Sequence, residues 1–369
     1  MNQLFRWDQT GLFLLALAAG ILPFAVPEVC AAALREGLTL CSGPLLLSLF
    51  PFLVVSRLLV QCPESDLLAL PFRLAAWGIG IRTPCAARVL CIGFLGGFAP
   101  AASAAAQAVR TGQLTAEEAD ALLPACICSG PSFVVLTVGQ SLLGSAELGV
   151  LLFASQITAN YLTAALLNRF AGVRSVKPGS AAPASPAPPR LDEILADAAI
   201  TYCKLCGFIL FFRMLATGAG ALLPAGADTL CSILLEVCSG CDLASRTGRW
   251  GSLLCCAALS VQGLSVLLQV RTICPPEMTL RPLYRSRLLH LPLSLALFYL
   301  LLPGGEADVF STLPARVLLM RRVPPDCALL VFAVCCMAAC TLRSGIRQVE
   351  QKQMARNAGG CCINSKTLL

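Results

Sequence analysis

The chain has 369 residues, of which 57% are apolar and only 13% charged, with a mean hydropathy of +0.78. Soluble domains carry about 25% charged residues, so the composition excludes an ordinary soluble fold and predicts an all-α protein that crosses the bilayer repeatedly. The net charge of +7 sits at the ends of apolar runs, where the positive-inside bias places it, and no nucleic-acid partner is expected.

A span takes roughly 20 apolar residues, which leaves room for about eight to ten spans or half-spans. Residues 11–26 read as the first span, retained rather than cleaved, because Arg6 is the only basic residue before them and Pro23 and Pro27 punctuate them. Arg35 and Glu36 mark a short loop, and residues 39–60 make a second span with Cys41-Ser42-Gly43-Pro44 near its start. Residues 65–82 are too short and mixed to cross, and read as interfacial or re-entrant.

Residues 90–133 are the stretch around which the chain is organised. They open with Gly93-Phe94-Leu95-Gly96-Gly97-Phe98-Ala99-Pro100 and close on Cys128-Ser129-Gly130-Pro131-Ser132. Glycine and proline at this density leave peptide groups unpaired, and in hydrocarbon such groups must be satisfied by protein or water. A glycine-broken helix buried inside a bundle, as transporters use to hold substrate, is the expected outcome. Between the two runs, Thr115 and Glu118 have the spacing of a capping box, which starts a helix reaching about Cys126. Residues 129–143 return across the bundle, and residues 148–167 form a cleaner span containing Gln156 and Asn160.

Residues 169–190 hold five prolines and four basic residues and no acid, which reads as an extended cytoplasmic linker. It divides the chain into a first membrane half, 1–168, and a second, 191–342, followed by a basic cytoplasmic tail, 343–369. The second half opens on the acidic helix start Asp192, Glu193 and Asp197. Spans follow at 198–223, 250–273 and 288–302, with 227–241 as a broken element, 306–325 as a loop and 328–342 as the last span. Cys-Ser-Gly recurs at Cys41, Cys128 and Cys238. Each half thus carries a broken element between spans, which suggests paired repeats. A small-residue-rich chain would also produce such triplets.

No nucleophile with an adjacent base, no P-loop and no paired carboxylates stand out, so no enzyme activity and no ATP-driven step are expected. The 21 cysteines lie mostly in apolar runs, where a free thiol behaves as a small hydrophobe. Cys203/Cys206 and Cys238/Cys241 have C-x-x-C spacing, but His290 is the sole histidine, and no metal site is expected. What remains are polar groups at membrane depth. Glu236, in an apolar run before Cys238-Ser239-Gly240, reads either as the site of a coupling proton or sodium ion or as an interfacial carboxylate paired with an arginine. Lys204 and Arg213 either face an anionic substrate or snorkel. Ser103, Gln107, Ser129, Ser132, Gln262, Ser265 and Gln269 lie beside glycines and suit a bound substrate. Bonding between helices would use the same residues.

These residues resemble those of the YlbJ (SpoVV) sporulation integral membrane proteins, within the wider nucleoside-recognition gate group. The resemblance is carried by Gly93-Phe94-Leu95-Gly96-Gly97-Phe98, Thr115-Ala116-Glu117-Glu118-Ala119 and Ser129-Gly130-Pro131-Ser132-Phe133 in the first half. Leu235-Glu236 with Ser239-Gly240, and Gly263-Leu264-Ser265-Val266 with Gln269, carry it in the second. Ser103 stands where the family pattern has a lysine, and Cys128 where it has an asparagine. The resemblance implies a fold like the concentrative nucleoside transporters, with inverted repeats and re-entrant hairpins. It implies transport of a small organic anion, dipicolinate, across the mother-cell or outer forespore membrane. A nucleoside transporter of the wider group and a non-transporting scaffold are the alternatives, and a homo-oligomer is left open. On this reading Gly96, Gly97, Ser129, Gly130, Pro131 and Ser132 line one half-site. Ser239, Gly240, Gln262, Gly263, Ser265 and Gln269 line the other, with Lys204 as a cationic contact and Glu236 coupling the ion.

Overall fold

The computed structural model describes residues 9–61, 69–171, 190–224 and 226–302, and every regular element among them is helical. The linker core, the loop at 306–325, the span at 328–342 and the tail expected above lie outside the described residues. Ala146–Ala171, Leu191–Gly220 and Gly248–Ile273 are long and apolar enough to cross a membrane. A bent pair, Leu15–Ala25 with Pro27–Ser42, makes a fourth candidate if counted as one span. The protein is an all-α membrane protein.

Helices α1 (Gln9–Ala25) and α2 (Pro27–Ser42) meet at 109°. Pro27 cannot donate to the helical ladder and pushes Val26 out of the α region, to φ −138° and ψ 63°. Arg35 and Glu36 therefore lie inside α2 and not in a loop. No breaker separates them from the helix, and Glu36 is held by an ion pair at 2.6 Å to Arg213. Cys41-Ser42-Gly43 ends α2, and Pro44 begins α3 (Pro44–Gln61). The second expected span is thus two helices. α4 (Leu70–Gly78) is short, with Leu70, Leu74 and Trp77 exposed and Ala76 buried.

α5 (Pro84–Gly96) and α6 (Phe98–Arg110) are joined at Gly97, φ +83°. A Cβ on Gly93 would lie 3.2 Å from Ala101 Cβ. A straight helix would hold those positions about 12 Å apart, so the two helices fold back as a hairpin. α7 (Ala116–Cys126) starts on the complete Thr115–Glu118 capping box. It hands over through Ile127–Pro131 to a π-helix, Ser132–Leu142. Both run along α8 (Ala146–Ala171) in the opposite direction. Asn168 Nδ2 donates to Ala121 O, Asn160 Nδ2 to Ile127 O, and Gly149 meets Val135. α7 and the π-helix are therefore one broken rod laid end to end along α8.

The second half repeats the order. α9 (Leu191–Gly220) is continuous and packs on α2 and α3. α10 (Ala227–Leu235) and α11 (Val237–Ser245) form a second hairpin around Glu236, since a Cβ on Gly240 would reach 2.8 Å from Ile233 Cα. α12 (Gly251–Val261) and α13 (Gly263–Ile273) form one span interrupted at Gln262 and Gly263, φ +66° and +67°. α14 (Arg281–Leu301) packs along α8. Its start is capped from the other half. Asp120 on α7 accepts from Thr279 N at 2.8 Å, Thr279 Oγ1 at 2.6 Å and Leu280 N at 3.1 Å. Each half thus reads hairpin, broken span, continuous helix.

Candidate functional site

Four backbone interruptions meet at the centre of the bundle. At the first hairpin tip, a Cβ on Gly97 would sit 2.6 Å from Gly130 N, inside the break of the first crossing. At the second tip, a Cβ on Gly263 would sit 3.0 Å from Glu236 N and 3.1 Å from Leu235 O. Each tip therefore rests on the break of its own half, at a distance only glycine allows. The two breaks touch where Gln262 Nε2 approaches Ser129 Oγ at 3.5 Å.

The meeting point carries a small open cleft. Gly96, Ser129, Gly130, Ser132, Glu236 and Gln269 line it, with an apolar remainder that includes Phe98, Phe133, Ile209 and Val266. Four helices begin at or beside it: α6, the π-helix, α11 and α13. Unpaired N–H groups and the positive ends of helix dipoles favour anions. One of the four is already occupied. Glu236 is 1% exposed, and its carboxylate accepts from Cys238 N at 2.9 Å, Ser239 N at 2.7 Å and Ser239 Oγ at 2.8 Å. It is the N-cap of α11 and faces the cleft. Among the described residues, no Lys, Arg or His lines the cleft.

Glu236 is thus neither interfacial nor held in an arginine ion pair. Arg213 is buried, but its ion pair is with Glu36. Gln262 uses its amide nitrogen on Leu259 O at 2.7 Å, which leaves buried Oε1 without a partner. Gln269 Nε2 donates to Ser265 Oγ at 2.8 Å. Pro131 caps the π-helix from the break.

Several expected residues stand elsewhere. Lys204 is exposed, because Tyr202, Leu205, Cys206 and Ile209 make the buried face of α9 and it lies off that stripe. It is removed from the site. Gln107 is half-buried at the far end of α6, about 15 Å along the helix from the tip. Ser103 is buried in α6 and does not line the cleft. Gly240 packs inside the second hairpin against Ile233.

His290, near the start of the span expected at 288–302, lies well inside α14. It is fully buried, because α14 starts at Arg281, well before the expected boundary. It belongs to a polar seam between α8, α12 and α14. His290 Nε2 is 3.2 Å from Gln156 O, and Gln156 Nε2 donates to Ser260 Oγ at 2.9 Å and Cys256 O at 3.2 Å. Arg287 lies in the same seam. Buried polar side chains in apolar helices are the signal that could have found this seam. Asp120 gave no such signal, since it follows Glu117 and Glu118 and reads as one more acid of the same helix start.

A scan against protein-family models, a search of curated proteins and a search of solved structures return no match for this chain.

Proposed function

We propose that the protein is a secondary transporter that moves a small organic anion, with dipicolinate as the first candidate, across the mother-cell or outer forespore membrane of a sporulating cell. The observation that carries this is the convergence of two hairpin tips and two helix breaks on one cleft. Irregular backbone is tolerated at membrane depth only inside protein or along an aqueous cavity, and transporters place substrate there. Hairpin, broken span and continuous helix recur in the same order. That recurrence supports paired repeats, which we propose to be inverted as in the concentrative nucleoside transporters.

The free helix starts suit carboxylates, and Glu236 opposes them. A bare dianion would meet a carboxylate on the cleft wall with no lining cation to offset it. Entry of the anion together with a proton or sodium ion on Glu236 removes the conflict, so Glu236 is the coupling residue. The same lining supports a second reading. Serine hydroxyls, a glutamine amide and a carboxylate also suit a neutral nucleoside.

Uptake of labelled dipicolinate into proteoliposomes tests the proposal. Wild-type protein is expected to accumulate it under a proton or sodium gradient. Glu236→Gln is expected to insert normally and to lose uptake. Full uptake by that variant removes the coupling role, and uridine uptake without dipicolinate uptake moves the protein to the nucleoside reading.

A further inference from the structure

Arg287 is buried on α14, and among the described residues it forms no ion pair. A charge in that position needs a counter-charge, because desolvation of an isolated cation is expensive. Its surroundings supply one from backbone. Nη1 faces Ser260 O at 3.5 Å, in the last turn of α12. Nη2 donates at 3.2 Å to Asn160 Oδ1, and Asn160 Nδ2 holds Ile127 O, the C-cap of α7, at 3.2 Å. Nε is 3.4 Å from Ser286 Oγ. Each helix C-terminus carries about half a negative charge. Two such ends amount to roughly one elementary charge, which a single guanidinium balances.

We infer that Arg287 is a resident cation, filling a cation-binding site formed by the C-terminal ends of the two broken half-helices. It keeps the breaks of the two half-helix pairs at fixed separation, and through them positions Ser129 at the cleft, with Gln262 against it. The inference concerns a site behind the cleft wall and does not depend on which solute the cleft takes.

The test is chemical replacement of the side chain. Purified full-length Arg287→Ala is melted in detergent with no addition, with millimolar guanidinium, or with urea, the neutral molecule of the same shape. The expected result is a lowered melting temperature that guanidinium restores in a saturable manner and urea does not. Arg287→Lys keeps the charge, so it is expected to melt close to wild type and to ignore guanidinium. Arg287→Met fills the space without charge and is expected to stay low in all three solutions. Restoration by urea as well, absence of restoration by guanidinium, or a Met variant as stable as wild type would overturn the inference. If the Ala variant cannot be purified, Lys and Met variants of equal stability overturn it alone. Dipicolinate binding by wild type is measured beside these melts. Its absence would count against the proposed transport and leave the Arg287 result standing.

Discussion

The two hairpins do the same backbone job with different chemistry. The first turns at Gly97, whose positive φ and missing Cβ let the tip press on Gly130. The second turns at Glu236, an extended residue, φ −149°, that closes its turn by bonding the first N–H groups of α11. There the glycine needed for close approach has moved to the opposing break, at Gly263. One tip is thus defined by absence of a side chain and is electrically bare. The other brings its own anion into the cleft. The two hairpins therefore leave one helix start open at the cleft and set one buried carboxylate beside it.

Substitutions at the tips can break this comparison. Gly97→Ala is expected to have the largest effect on stability. The positive-φ, extended backbone of Gly97 costs about 1–3 kcal/mol outside glycine, and a forced backbone shift at Gly130 adds about 1–3 kcal/mol. Thermal melting in detergent reads the sum. Gly226→Ala is the control, since Gly226 has φ +93° and nothing within 4 Å of its would-be Cβ. It should show the conformational cost alone, about 1–3 kcal/mol. Equal losses at both positions would mean that the contact between tip and break does no structural work.

Asp120→Ala comes next, at about 2 kcal/mol, because it strips a carboxylate from two backbone donors and a hydroxyl at the start of α14. Amide exchange at Thr279 and Leu280 should rise with it; unchanged exchange there would remove the cap. The smallest effect is expected at Glu236→Gln, where loss of an N-cap costs about 1 kcal/mol while uptake is lost. A variant that loses stability and uptake in proportion would make Glu236 a cap and nothing more.

The breaks were legible in sequence because glycine clusters and Cys-Ser-Gly triplets are local signals, as was the Thr115–Glu118 cap. Whether a break folds back or runs on was not legible. Gly97 and Gln262-Gly263 look alike in sequence, and only the packing of Gly93 on Ala101 makes the first a hairpin. Lys204 could have been excluded by the helical stripe of Tyr202, Leu205, Cys206 and Ile209. The cap from Asp120 to α14 joins residues far apart in the chain, so no window of sequence contains it. Arg287 and His290 were hidden by Arg281 and Arg285, which made the start of α14 read as a membrane edge.

The proposed transport requires that the cleft between the two tips binds a small organic anion. A titration of dipicolinate against the melting temperature of the purified protein tests this. A saturable rise that adenosine and uridine do not reproduce, and that Glu236→Gln alters, is expected. No rise with dipicolinate, from protein shown to be folded, would rule the anion site out.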